Sequence, residues 1–158
     1  MNVGAILLCA GKGERLGLEV PKALAPLAGR PLFSHALEAL ERCTEVSSVV
    51  VVGPVKMLRE ALAASGFAPR KVVAWTEGGA ERQLSVTRGL AAVPAACDMV
   101  LVHDCARALI LTATIARVIA DARRYGAAIV AVPLEDTLKR GSPEGIEATV
   151  PRADLWRA

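Results

Sequence analysis

The 158-residue chain is 53% apolar and 3% aromatic, with a net charge of +3. That is enough length for one buried core and too much apolar content for disorder. The small charge, the absence of a lysine–arginine run and the scarcity of rings exclude an extended nucleic-acid surface and suit anionic small molecules.

The cysteines Cys9, Cys43, Cys97 and Cys105 are never in C-x-x-C spacing, and there are only two histidines. A zinc site or disulfide framework is therefore not expected, and free thiols in a reducing compartment are. Met1 runs almost directly into an apolar strand without a basic leader, and no apolar run reaches membrane-spanning length. A soluble, cytoplasmic protein is expected.

In chain order, residues 3–9 form a continuous apolar run ending in a glycine-rich stretch, the pattern of a buried strand. A long loop follows over 10–30. Pro31 opens a helix with Leu32, Phe33, Ala36, Leu37 and Leu40 on one face. Residues 46–52 are the second strand, stopped by Gly53. Pro54 opens a second helix that Gly66 ends. Residues 71–75 are a third strand. Gly78 and Gly79 then turn the chain into a helix over 81–92. Residues 99–103 are the fourth strand, 111–125 a helix capped by Gly126, and 127–132 a fifth strand closed by Pro133.

This alternation predicts an α/β fold, a Rossmann-like and mostly parallel sheet flanked by helices. Ligands in such sheets lie beyond the carboxyl ends of the strands, which gathers the loops after Cys9, Trp75 and His103 at one edge. Residues 134–154 differ. They are polar, carry Gly141, Pro143 and Gly145, and lack a helical period. Residues 137–139 and 148–150 are expected as two strands of a protruding β-arm, which needs something to pack on, such as a partner chain.

The stretch Ala10-Gly11-Lys12-Gly13-Glu14-Arg15-Leu16-Gly17 leaves the first strand. Glycines there let backbone N–H groups approach phosphate oxygens. No Ser or Thr follows Lys12, so it is not a Walker loop. The G-x-G-x-x-x-G spacing, with no acid after Val52-Gly53, also fits a dinucleotide site poorly. Arg15 and Pro21-Lys22 add two cations beside the cradle. Such cations stabilise charge on a triphosphate under attack and on the departing pyrophosphate.

Ala10-Gly11-x-Gly13-x-Arg15-Leu16 with Pro21-Lys22 resembles the signature of sugar-phosphate nucleotidyltransferases. Gly78-Gly79-Ala80-Glu81-Arg82-Gln83-x-Ser85-Val86 and Val102-His103-Asp104-x-Ala106-Arg107 narrow this to two groups. They are the 2-C-methyl-D-erythritol 4-phosphate cytidylyltransferases and their ribitol-5-phosphate relatives. Asp136-Thr137-x-Lys139-Arg140 and Arg152-x-x-Leu155-Trp156-Arg157-Ala158 favour the first group.

The resemblance implies the nucleotide-diphospho-sugar transferase type of fold, and transfer of CMP from CTP to 2-C-methyl-D-erythritol 4-phosphate in non-mevalonate isoprenoid synthesis. It implies that Arg15 and Lys22 are catalytic, and that Ala10, Gly11, Lys12, Gly13, Gly79 and Ser85 bind the nucleotide. Asp104 would face the alcohol phosphate and help hold Mg²⁺. Arg107, with Thr137 and Arg152 on the arm, would complete the substrate site, the arm reaching across a homodimer.

The family continues for several dozen residues beyond Ala158. The resemblance therefore makes 1–158 one nucleotidyltransferase domain without its C-terminal portion. Cys9 and Cys105 stand where the family usually has alanine, and Ala108 replaces a usual proline. Two other functions compete: ribitol-5-phosphate cytidylyltransfer, and a non-catalytic nucleotide-binding module.

Overall fold

The computed structural model describes residues 1–11, 13 and 20–158. They form two compact units, Met1–Ile119 and Ala120–Ala158. In the first unit the elements run β1 (Val3–Leu8), a 3-10 turn (Lys22–Leu24), β2 (Pro26–Leu27), β3 (Arg30–Pro31), α1 (Leu32–Arg42), β4 (Val46–Val52), α2 (Val55–Ala64), β5 (Val72–Thr76), α3 (Arg82–Ala92) and β6 (Met99–Asp104). Then α4 (Thr112–Tyr125) crosses the boundary in sequence. The second unit adds β7 (Val132–Pro133), β8 (Leu138–Ser142), β9 (Gly145–Val150) and β10 (Trp156–Arg157).

Among the described residues the main sheet has four strands in the order β5-β4-β1-β6, all parallel. β1 is central and buried along its whole length. Such a strand has no polar face to show, hence the unbroken apolar run in sequence.

Successive side chains of β1 go to opposite layers. Val3, Ala5, Leu7 and Cys9 join Phe33, Leu37 and Leu40 of α1, Leu58 and Leu62 of α2, and Ile115 and Ile119 of α4. Ile6 and Leu8 face the other way with Val50 and Val52, where Val86 and Ala92 of α3 pack. A Cβ added at Gly89 of α3 would lie 2.6 Å from the Ile6 Cγ2 and 2.9 Å from the Val52 Cγ2. The missing side chain is what lets α3 sit this close to the sheet.

Leu8 is level with both Val52 and Asp104, and Val52 with Thr76. The ladder continues one step past the strands: Cys9 N–H donates to the Val52 carbonyl (2.7 Å), Gly53 N–H to Thr76 (2.9 Å) and Cys105 N–H to Leu8 (3.0 Å). These bonds fix the stems of the loops at the carboxyl edge.

In the second unit β8 and β9 pair antiparallel, Lys139 opposite Thr149 and Leu138 opposite Val150. The Lys139 ammonium donates to the Thr149 hydroxyl at 2.6 Å. The two strands expected around 137–139 and 148–150 thus pair as a hairpin, and nearly all of it is exposed. The expected fifth strand over 127–132 is absent. Only Val132–Pro133 is extended, and it pairs antiparallel with Trp156–Arg157. An apolar run becomes a strand only where a neighbour takes its N–H and C=O groups. Residues 127–131 make no strand pairing, and Ile129 is 77% exposed. The two-residue strands β2 and β3 pair with each other at the end of the stretch read as loop, β3 reaching Pro31, which was read as opening the helix; this pair was likewise not foreseen.

Candidate active site

A cleft of about 860 Å³ opens at the carboxyl edge of the main sheet. Three segments line it: Leu8, Ala10, Gly11 and Gly13 with Lys22, then Gly79 to Arg82 with Ser85, then Asp104 to Arg107. These are the loops that the strand-end rule gathers, so the topology brings together motifs separated by up to a hundred positions.

On the first side Ala10, Gly11 and Gly13 face the cleft, and Lys22 joins them from the 3-10 turn. That turn is closed by Leu24 N–H donating to the Pro21 carbonyl at 2.8 Å. Lys12 and Arg15 lie outside the described residues.

On the second side the Gly78–Gly79 turn leads into α3. Gly79 N–H donates to the Ser85 hydroxyl at 3.0 Å, and that hydroxyl donates to the Glu81 carbonyl at 3.2 Å. Ser85 is buried, at 2% exposure. Its proton is therefore spent on the turn, and one lone pair remains to accept from a ligand. Arg88 donates to the Gly78 carbonyl at 2.6 Å and the Glu77 carbonyl at 3.4 Å. The Glu77 carboxylate in turn accepts from Val55 N–H at the start of α2, at 3.2 Å. A Cβ on Gly78 would stand 2.3 Å from the Ala10 Cβ. Glycine here is what allows the two loops to touch.

On the third side Asp104 ends β6. Arg82, the first residue of α3, meets it side-on, with Nε to Oδ1 at 3.1 Å and Nη2 to Oδ2 at 3.4 Å. Arg107 follows in a tight turn. Its N–H donates to the Asp104 carbonyl at 3.0 Å, and its carbonyl bonds the His103 Nε2 at 3.1 Å. Burial pushes the His103 pKa below its ordinary value, against an opposing pull from the Arg107 carbonyl and Asp104. The histidine is thus a neutral brace for the turn. Ala108 is buried, and the two bonds hold the turn without a proline.

Thr137 and Arg152 belong to the second unit. Thr137 is exposed just before β8, and Arg152 donates to the Glu135 carbonyl. The residue that sequence reasoning missed is Arg82. It stood inside a quoted motif, but its partner lies 22 positions away, and only the fold brings them together.

The family model described as "IspD: 2-C-methyl-D-erythritol 4-phosphate cytidylyltransferase" matches residues 3–158. A 2-C-methyl-D-erythritol 4-phosphate cytidylyltransferase of Prochlorococcus marinus is 42% identical over 158 residues, covering 97% of this chain and 68% of that protein. The bifunctional enzyme IspD/IspF of Desulfotalea psychrophila is 39% identical over 159 residues, covering 100% of this chain and 41% of that protein. The crystal structure of the Thermus thermophilus cytidylyltransferase superposes with a TM-score of 0.71 at 32% identity, covering 97% of this chain and 66% of that one. The chain thus spans between two fifths and about two thirds of these relatives' lengths. With the cleft built from the same three motifs, these matches show that the chain belongs to the 2-C-methyl-D-erythritol 4-phosphate cytidylyltransferase family.

Proposed function

We propose that this chain transfers CMP from CTP to 2-C-methyl-D-erythritol 4-phosphate, giving 4-diphosphocytidyl-2-C-methyl-D-erythritol and pyrophosphate. The observation that carries the reading is the convergence of the glycine loop, the start of α3 and the Asp104–Arg107 turn on one cleft.

In the reaction a phosphate oxygen of the alcohol attacks the α-phosphorus of CTP. The bond to the bridging oxygen breaks, and pyrophosphate leaves with that electron pair. The nucleophile is already anionic, so alignment and charge neutralisation dominate and no strong base is needed. The backbone N–H groups of Ala10 to Gly13 cradle the phosphates. Lys22, with Arg15, meets the charge that builds on the α-phosphate oxygens. The first-turn amides of α3 have no partner within their helix and carry the positive end of its dipole, which favours an anion at that side of the cleft. Gly79 and Ser85 address the cytidine. Arg107 binds the alcohol's phosphate, and Thr137 and Arg152 contribute from the arm of a second copy.

Among the described residues no three metal-ligating side chains cluster. Glu81 and Asp104 bring two carboxylates to the cleft. That set fits Mg²⁺, which keeps most of its waters and takes one or two carboxylates plus phosphate oxygens. Asp104, held by Arg82, is the carboxylate we assign to it. When bound, the ion would neutralise triphosphate charge.

No helix among the described residues is long and apolar enough to cross a membrane, and we place the reaction in the cytoplasm with its CTP. The exposed β8–β9 hairpin supports a homodimer joined through the arm. Sedimentation of a purely monomeric species at micromolar concentration would refute that part.

The reading is tested by pyrophosphate release with CTP, Mg²⁺ and either 2-C-methyl-D-erythritol 4-phosphate or ribitol 5-phosphate. Faster release with the methylerythritol substrate is expected. Preference for ribitol phosphate would reassign the substrate, and CTP binding without release from either would leave a nucleotide-binding module.

A further inference from the structure

Cys9 and Cys105 meet beneath the cleft. β1 and β6 are parallel with Leu8 level with Asp104, so each cysteine is the first residue past its strand. Cys105 N–H donates to the Leu8 carbonyl at 3.0 Å, which keeps the two backbones together beyond the strand ends. The two side chains belong to one buried cluster. Neighbouring strands run about 4.8 Å apart, within the roughly 4.4–6.8 Å between Cα atoms that a disulfide spans.

Access to the two is unequal. Cys9 is fully buried, whereas Cys105 is 5% exposed and lines the cleft. A reagent that enters the cleft reaches Cys105 first, and Cys9 only through it. The other two cysteines lack such a partner among the described contacts: Cys43 is buried under α1, and the Cys97 sulfur contacts the Ser48 hydroxyl at 3.5 Å.

We propose that Cys9 and Cys105 form a paired modification site, which a low-molecular-weight disulfide converts to an intramolecular disulfide that weakens nucleotide binding. In the first step the Cys105 sulfur, its proton lost to water, attacks one sulfur of the reagent. A mixed disulfide forms, and one thiolate leaves. In the second step the Cys9 sulfur, also deprotonated, attacks the Cys105 sulfur and expels the second thiolate. The cysteines together lose two electrons, the reagent gains them, and the two protons pass through water to the departing thiols.

Burial, and then the neighbouring Cys105 thiol, push the Cys9 pKa well up. Cys9 is therefore inert toward a reagent in solution, and the mixed disulfide on Cys105 is what brings an electrophilic sulfur to it. Drawing the sulfurs into a bond of about 2.05 Å pulls on their chain neighbours Ala10 and Asp104, which both line the cleft. This consequence rests on the cleft being the nucleotide site proposed above.

The test treats the purified chain with glutathione disulfide, followed by peptide mapping and equilibrium dialysis with CTP. The expected map joins the Cys9 peptide to the Cys105 peptide. CTP binding is expected to weaken about tenfold or more, the scale of a misplaced contact in a site, and to recover with reductant. Cys9→Ala is expected to stop at one glutathione on Cys105, and Cys105→Ala to leave Cys9 unmodified. A map without the linked peptide overturns the proposal, as does a linked peptide with unchanged CTP affinity. If the reduced chain binds no CTP, the functional reading fails and the effect on binding falls with it, while the peptide map still decides whether the pair closes.

Discussion

Asp104 would be a mobile carboxylate at a strand end were it not held side-on by Arg82 at 3.1 and 3.4 Å. A guanidinium can make two parallel bonds to a carboxylate; an ammonium cannot. Arg82→Ala should therefore lower turnover about tenfold to a hundredfold through misplacement of Asp104. Arg82→Lys should rescue little. The pair is well exposed, so melting temperature should hardly change in either variant. Turnover of Arg82→Lys at the wild-type level would show that charge alone matters there.

His103 supplies a pH prediction at the same scale. Its folded pKa is lowered by burial, so the unfolded chain binds the proton more readily. The stability from neutral His103 is complete above the unfolded value of about 6.5 and is lost as pH falls toward the folded one. The melting temperature should drop between neutral pH and about 5, and His103→Gln, which keeps a donor for the Arg107 carbonyl, should flatten that drop. An unchanged slope in the variant would assign the effect to another group.

A local pattern singled out Ala10, Gly11, Gly13 and Lys22, and all four line the cleft. The Arg82–Asp104 pair and the Ser85 brace were not legible in this way, because their partners are set by which loops the sheet brings together.

At the scale of elements, α3 depends on Gly89. Gly89→Val puts a branched side chain against Ile6 and Val52, where even a Cβ is too close. Overpacking of this kind costs about 1–3 kcal/mol, readable by chemical denaturation. Stability equal to wild type would mean that α3 shifts freely on the sheet.

Strands buried on both faces were easy to read. β4 occupies the very residues its apolar run suggests, 46–52, and β1 stops one residue short of expectation. The run over 127–132 has similar composition but no strand partner, and composition does not record partners. The β2–β3 pair was hidden by its brevity, since two-residue strands leave no periodicity to detect.

At the scale of the molecule, parallel pairing with carboxyl ends level is what makes a site. Leu8, Val52, Thr76 and Asp104 stand at nearly one height, so the chain leaves three of these strands into loops facing one cleft. That arrangement followed from the alternation of strands and helices alone. The nucleotide and alcohol proposed for it came from the motifs and from the family the chain belongs to.

The central claim is that this cleft performs cytidylyl transfer, with Lys22 meeting the developing charge. The most direct test measures pyrophosphate release beside CTP binding for the wild-type chain and Lys22→Ala. Loss of one transition-state contact predicts a fall in turnover of about a hundredfold to a thousandfold, with CTP affinity changed far less. Equal turnover in the two proteins, or loss of CTP binding and turnover in equal measure, would contradict the account.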